Sequence, residues 1–358
     1  MSTTSTPRTD SEPLGPLVDL QRLNAWTEFD DVPGKGPCVS LEPLKGGAQN
    51  LLFTLRREDG TELVLRRPGR HVRDDAAATF LREARVLSAL SDTDVPHPRL
   101  YAHCVDEAVI GVPFCIMEKI DGFTPRGALP GKYGTDPAWR RSMALELVEG
   151  AAKLAAVDPH EAGLDDLSKT DDWLERQIAR YSKMLHGYRE NAEYRESESA
   201  HVDAVHGWLE ANKPNDFRVG IVHGDLQFAN VMFDHESPRL AAIVDWEMAA
   251  LGDPLVDLAW ILTAWREEGD PPGSDPYIQP WSGIPSRAEL AGHYSELTGR
   301  DTEGIFPWFQ VLAHFRLAAL LEGSYFRALN GKMDRKMGEG LHTYARWQWA
   351  KAYQEISR

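Results

Sequence analysis

GIVHGDLQFANVMFD, residues Gly220 to Asp234, sets one His, two Asp and one Asn between apolar runs. Val219–Val222 reads as a short buried strand, His223–Asn230 as a loop, and Val231–Asp234 as a return strand. After the turn at His235–Pro238, the run Arg239–Val244 gives one more strand, ending at Asp245. Asp225, Asn230 and Asp245 are thereby expected at the mouths of adjacent strands. A carboxylate, an amide five residues on and a second carboxylate after a hairpin form an arrangement that phosphoryl transfer uses. One carboxylate takes the proton of the attacking hydroxyl, while the amide and the other carboxylate offer hard oxygen donors to Mg²⁺.

Each of these residues alone has a plainer reading, because Asp and Asn often cap turns. The three at this spacing outweigh it. His223 reads as a buried hydrogen-bonding strut rather than a base. A metal-hydrolase centre on His223 and Asp225 lacks a second histidine at helical spacing.

The longer stretch VHGDLQFANVMFD…IVDWEMAALGDPLVDLAW resembles the aminoglycoside phosphotransferase family, whose fold is related to that of protein kinases. The resemblance implies a bilobal α+β, protein-kinase-like fold with a small antiparallel-sheet N-terminal lobe and a larger, mainly helical C-terminal lobe. It implies ATP or GTP with Mg²⁺, Asp225 as catalytic base, and Asn230 and Asp245 as magnesium ligands. Asp257 would be the buried carboxylate that braces the loop by accepting backbone N–H bonds. The wording of VLRRP and of DWEMAALGDPLVDLAW looks most like the branch related to the kinase-like domains of certain acyl-CoA dehydrogenases.

Such an enzyme also needs a phosphate-covering loop, a strand cation and a helical glutamate to hold it. Gly46 and Gly47, between two strand-like runs, are the candidates for the loop. In ELVLRRP, Val64 and Arg66 share one strand face, while Leu63, Leu65 and Arg67 share the other. Val64 is placed to cap an adenine and Arg66 to reach the phosphates. The family usually has Lys at the second position, and Arg substitutes a planar fork for a point charge. Phe80, Ala84, Leu87 and Leu90 make the apolar stripe of the next helix, with Glu83 beside it. An acid on that side wants a cation, and Arg66 is the natural one; a local pairing with Arg82 or Arg85 is the alternative. FCIMEKIDG falls where the lobes should join, and the resemblance implies an adenine hinge through the backbone of Glu118 and Ile120.

The same patterns divide the chain into a Ser/Thr/Pro-rich tail (1–16), a nucleotide-binding lobe with a leading helix (17–121) and a helical lobe carrying the catalytic loop and acceptor site (122–358). With 39 Lys and Arg against 55 Asp and Glu, the net charge of −16 argues against nucleic-acid or anionic-membrane partners. The N-terminal stretch lacks a basic region followed by an apolar core, and three cysteines at irregular spacing suit neither disulfides nor zinc. A cytoplasmic location is the expectation. Asp257 follows Asp245 by only twelve positions, which leaves no room for a peptide-docking activation segment. The acceptor is therefore expected to be a small-molecule hydroxyl: an aminoglycoside-like compound, an amino alcohol or a hydroxyacyl compound. Acceptor specificity is expected from the helical lobe around Trp260, Trp265 and GSYFRALNG, although those aromatics also suit a core. An inactive nucleotide-binding relative would normally have lost the base or a metal ligand. All three residues are present, and Arg66 is the one feature that keeps that reading open.

Overall fold

The computed structural model describes residues 18–44, 50–69, 76–194, 199–267 and 278–357. The expectations for the 1–16 tail and for Gly46 and Gly47 lie outside these residues. Two compact units emerge. One comprises Met1–Ser88 with Arg99–Lys119, and the other Ala89–Pro98 with Ile120–Arg358.

The first unit is built on a five-stranded antiparallel sheet. Its strands are β1 (Cys38–Leu44), β2 (Asn50–Arg57), β3 (Glu62–Pro68), β4 (Leu100–Cys104) and β5 (Phe114–Glu118), in spatial order β1-β2-β3-β5-β4. An Asp-Gly turn closes the β2–β3 hairpin, with Gly60 at φ +88°. Side chains alternate between two faces, as the pleat requires. Leu63, Leu65, Phe114 and Ile116 enter one core with Leu23 of helix α1 (Leu20–Ala25) and with Ile110 of α3 (Glu107–Ile110). Val64, Cys115 and Met117 face the other way and pack with Phe80 of α2 (Ala76–Leu90). The period of two in ELVLRRP thus sorts Val64 and Arg66 onto the α2 side.

The second unit is mainly helical. It contains α4 (Gly131–Thr135), α5 (Pro137–Ala155), α6 (Trp173–Tyr188), α7 (Ser199–Ala211), α8 (Leu255–Thr263), α9 (Arg287–Thr298), α10 (Phe306–Leu329) and α11 (Arg335–Ile356). Small ladders join its connections: β6 (Gly127–Ala128) runs parallel to β11 (Ile278–Gln279), and β8 (Val231–Phe233) antiparallel to β9 (Leu240–Ile243). A third ladder differs from the sequence expectation. β7 (Gly220–Val222) pairs with β10 (Ala250–Gly252), not with β8, so β8 is not its return strand. A 3₁₀ turn at Phe228–Asn230 redirects the chain before β8 begins. Val219, read as part of the buried strand, is 47% exposed. Asp253 fixes where β7 and α8 start. Fully buried, it accepts N–H bonds from Arg218 at 3.0 Å and Leu255 at 3.0 Å and pairs with Arg300 at 3.1 Å. Among the described residues no helix is long and apolar enough to cross a membrane.

Candidate active site

The loop between β7 and β8 is held rigid from several directions. Asp257, in the first turn of α8 and 2% exposed, accepts the His223 N–H at 2.7 Å and the Gly224 N–H at 2.9 Å, one on each carboxylate oxygen. Burial pushes its carboxyl up to about 6, while the two N–H bonds and the charge of Arg316 pull the other way. Gly224 sits at φ +82°, and a Cβ there would lie 2.7 Å from the Met248 carbonyl oxygen, so the turn requires glycine. Arg316 of α10 donates to the Gly224 carbonyl.

His223 is a strut between two segments. Its Nδ1 accepts the Asp225 N–H at 3.2 Å, and its Nε2 lies 3.0 Å from the Val244 carbonyl. Only a neutral imidazole protonated at Nε2 makes both bonds. Complete burial favours that state, holding the ring down to about 4. The imidazole also meets the Trp246 ring edge-on at 4.8 Å.

Asp225 lies at the centre. Its Oδ1 accepts from Gln227 Nε2 at 2.8 Å and from Trp260 Nε1 at 2.8 Å. Its Oδ2 accepts from Asn230 Nδ2 at 2.7 Å. Burial raises the carboxyl above its ordinary range, opposed by the Trp260 bond, the charge of Arg316 and the Asn230 bond; the charge of Asp245 adds to the rise. A raised pKa suits a group that must accept a proton.

Asn230 also donates to the Asp225 carbonyl at 2.9 Å, so its amide nitrogen faces two acceptors and its Oδ1 points elsewhere. The Asn230 backbone carbonyl accepts the Val244 N–H at 2.9 Å, which ties the Asn230 backbone to the residue before Asp245. Asp245 adopts the left-handed region at φ 69°, ψ 59°, a conformation that Asp tolerates better than most residues. The next residue anchors the turn: Trp246 is 1% exposed and donates its indole N–H to the Ile243 carbonyl at 2.9 Å. Asp245 itself is exposed. An amide oxygen and a carboxylate make a hard donor set of the kind Mg²⁺ takes when phosphates and water complete its shell. Among the described residues no group of three His, Cys, Asp or Glu side chains converges as a metal site.

In the first unit, Arg66 and Glu83 form a buried ion pair, 6% and 4% exposed. The Arg66 guanidinium carbon lies 5.4 Å from the centre of the Phe80 ring. Val64 is buried on the same face, paired across the ladder with Met117. Glu118 ends β5, accepting the Arg99 N–H at 3.2 Å through its side chain and donating its own N–H to the Arg99 carbonyl at 2.8 Å. Ile120 begins the longer segment of the second unit.

Gln227 and Arg316 escaped the sequence reading, and Trp260 entered it only for acceptor specificity or core. Trp260 had the appearance of core, and it is 8% exposed, yet its N–H serves the carboxylate. Arg316 had a legible signal: it is the one charge in the apolar run FQVLAHFRLAALL. A buried guanidinium there demands partners. Trp265 is core, stacked on Phe228 at 5.5 Å with its N–H on the Pro285 carbonyl at 2.8 Å.

A two-unit α+β protein with an Asp-centred loop, an adjacent amide–carboxylate pair and a buried strand Arg–helix Glu pair belongs to the kinase-like phosphotransferase class. The model of the phosphotransferase enzyme family matches residues 40–293, and the chain belongs to that family, whose members move a phosphoryl group onto a hydroxyl. Among solved structures, a Ralstonia eutropha protein described as a candidate aminoglycoside phosphotransferase superposes with a TM-score of 0.80 at 30% identity, covering 95% of this chain and 98% of that one. The GDP complex of an aminoglycoside 2′-phosphotransferase-IIIa mutant has a TM-score of 0.63 at 18% identity, over 92% and 96%, and so shares the fold. By sequence the chain is 28% identical over 334 residues to acyl-CoA dehydrogenase family member 10 of Mus musculus. That match covers 89% of this chain and 30% of the mouse protein, so the chain spans about a third of that relative's length.

Proposed function

We propose that this protein transfers the γ-phosphoryl group of ATP, or of GTP, to a hydroxyl of a small molecule with the help of Mg²⁺. The observation that carries the reading is Asp225: a half-buried carboxylate with raised basicity, fixed by three side-chain donors, Gln227, Trp260 and Asn230. In this reading Asp225 accepts the proton of the acceptor hydroxyl. Asn230 Oδ1 and the Asp245 carboxylate would hold the metal, which would supply positive charge to offset the charge developing on the transferred phosphoryl group. Arg66, kept in place by Glu83, contacts the nucleotide phosphates; Val64 covers the adenine, and the backbone of Glu118 and Ile120 reads its edge. Gly46 and Gly47 would form the covering loop.

For the acceptor class, hydroxyacyl compounds and aminoglycosides both stay in the reading, since the Ralstonia eutropha candidate aminoglycoside phosphotransferase covers 95% of this chain at 30% identity. The acyl-CoA dehydrogenase family members match 80–89% of this chain, whereas viomycin phosphotransferase of Streptomyces vinaceus matches 44%. The test is a nucleotide-consumption screen over hydroxyacyl compounds, amino alcohols and aminoglycosides, repeated with Asp225→Ala. Turnover of the active acceptor should drop by about 10²–10⁴-fold with nucleotide affinity nearly intact. Unchanged turnover in the variant would remove the assignment.

A further inference from the structure

The donors around Asp225 single out one atom. A carboxylate has about four lone-pair sites, two on each oxygen. Oδ1 accepts both Gln227 Nε2 at 2.8 Å and Trp260 Nε1 at 2.8 Å, so its sites are filled. Oδ2 accepts Asn230 Nδ2 at 2.7 Å and keeps one site open. The Asn230 orientation is chemically forced, since the flipped amide would set its oxygen against both the Asp225 carbonyl and the carboxylate.

From this arrangement we infer that Trp260 is a positioning residue for phosphoryl transfer: it occupies Oδ1 and so leaves Oδ2 of Asp225 as the atom that receives the acceptor proton. The inference rests on the functional reading above and deepens it. Trp260 is itself held. The Arg316 guanidinium carbon lies 4.2 Å from the centre of the indole, a cation–π contact, while the same guanidinium donates to the Gly224 carbonyl. One buried arginine, 7% exposed, thus ties the indole to the backbone of the loop that carries the base. Ring, loop and carboxylate form a closed triangle, and the carboxylate plane has no free rotation about its Cβ–Cγ bond. In the transfer step the acceptor O–H bond breaks and its proton goes to Oδ2. The acceptor oxygen forms a bond to the γ-phosphorus as the bridging bond to the β-phosphate breaks, and that electron pair leaves with the nucleoside diphosphate.

Trp260→Phe keeps an aromatic ring under Arg316 and removes the N–H together with part of the indole. With MgATP and the hydroxyl acceptor found by the screen, or with water as the acceptor in nucleotide hydrolysis, kcat should fall by about 10- to 100-fold. The KM for MgATP should stay within about twofold, because the nucleotide is not touched. A spectroscopic arm needs no turnover. In the full chain with ¹⁵N-labelled tryptophan, the Trp260 Nε1–H signal is assigned by its loss in Trp260→Phe. Asp225→Asn should move that signal upfield, since a charged acceptor is lost. The outcomes separate cleanly. If Asp225→Asn retains turnover, the phosphotransfer reading fails. If Asp225→Asn is inactive but Trp260→Phe keeps wild-type kcat, or the indole signal does not move, the positioning role fails alone.

Discussion

Asp257→Asn changes a single atom of the carboxylate and should loosen the loop that carries Asp225. The carboxylate takes the His223 N–H on one oxygen and the Gly224 N–H on the other, at 2.7 and 2.9 Å, in a site 2% exposed. An asparagine has one acceptor oxygen, so its NH₂ must face one of those donors. One buried backbone N–H is then unsatisfied, worth about 1–3 kcal/mol, and the remaining bond loses its charge assistance, for about 2–4 kcal/mol in all. A protein of two compact units gives no single global unfolding free energy. The appropriate assay is native-state hydrogen exchange of the His223 and Gly224 amides. At about 1.36 kcal/mol per tenfold, their exchange should quicken by about 30- to 900-fold. The comparison belongs at about pH 8, where Asp257 is ionised even with its carboxyl raised to about 6. Protection unchanged within about threefold would refute the bracing role, because among the described residues the Asp257 carboxylate is the acceptor of both amides.

Two other perturbations follow from buried charged and titratable groups, one in each unit. Glu83→Ala leaves the guanidinium of Arg66 in a buried face without its carboxylate and should destabilise the first unit by about 3–5 kcal/mol, read as a lowered thermal midpoint; a loss below about 1 kcal/mol would show that the pair is not what holds Arg66. For His223, the folded-state value near 4 lies below the unfolded value of 6.5, so its contribution is fully present above pH 6.5 and is lost as pH falls towards 4. That difference amounts to about 3 kcal/mol between the two limits, and His223→Gln should flatten the acid slope of stability by that amount; an unchanged slope would mean that His223 is not the titrating group.

Much of this site was legible because it is local. Asp225 and Asn230 share one loop, Asp245 follows one hairpin later, and the period of two in ELVLRRP put Val64 and Arg66 on one face. Glu83 could be matched to Arg66 because an acid beside an apolar stripe needs a counter-charge. The partner of β7 was not legible: a three-residue strand carries too little pattern to choose between β8 and β10. Trp260 and Arg316 stayed hidden for a different reason. They reach Asp225 and Gly224 across 35 and 92 residues. Hydrophobic periodicity says that such residues are inside, not which polar atom they meet there.

The anchoring of Trp246 has a consequence for inhibition. A compound that requires the Asp245 turn to swing outward must first pull a fully sequestered indole into water and break its bond to the Ile243 carbonyl. Burial of a tryptophan removes roughly 200 Å² from solvent, worth about 5 kcal/mol. The swung-out form would then be populated at about one molecule in several thousand, and apparent affinity for such a compound would be weakened by the same factor. Ligands that accept the turn as it stands carry no such penalty.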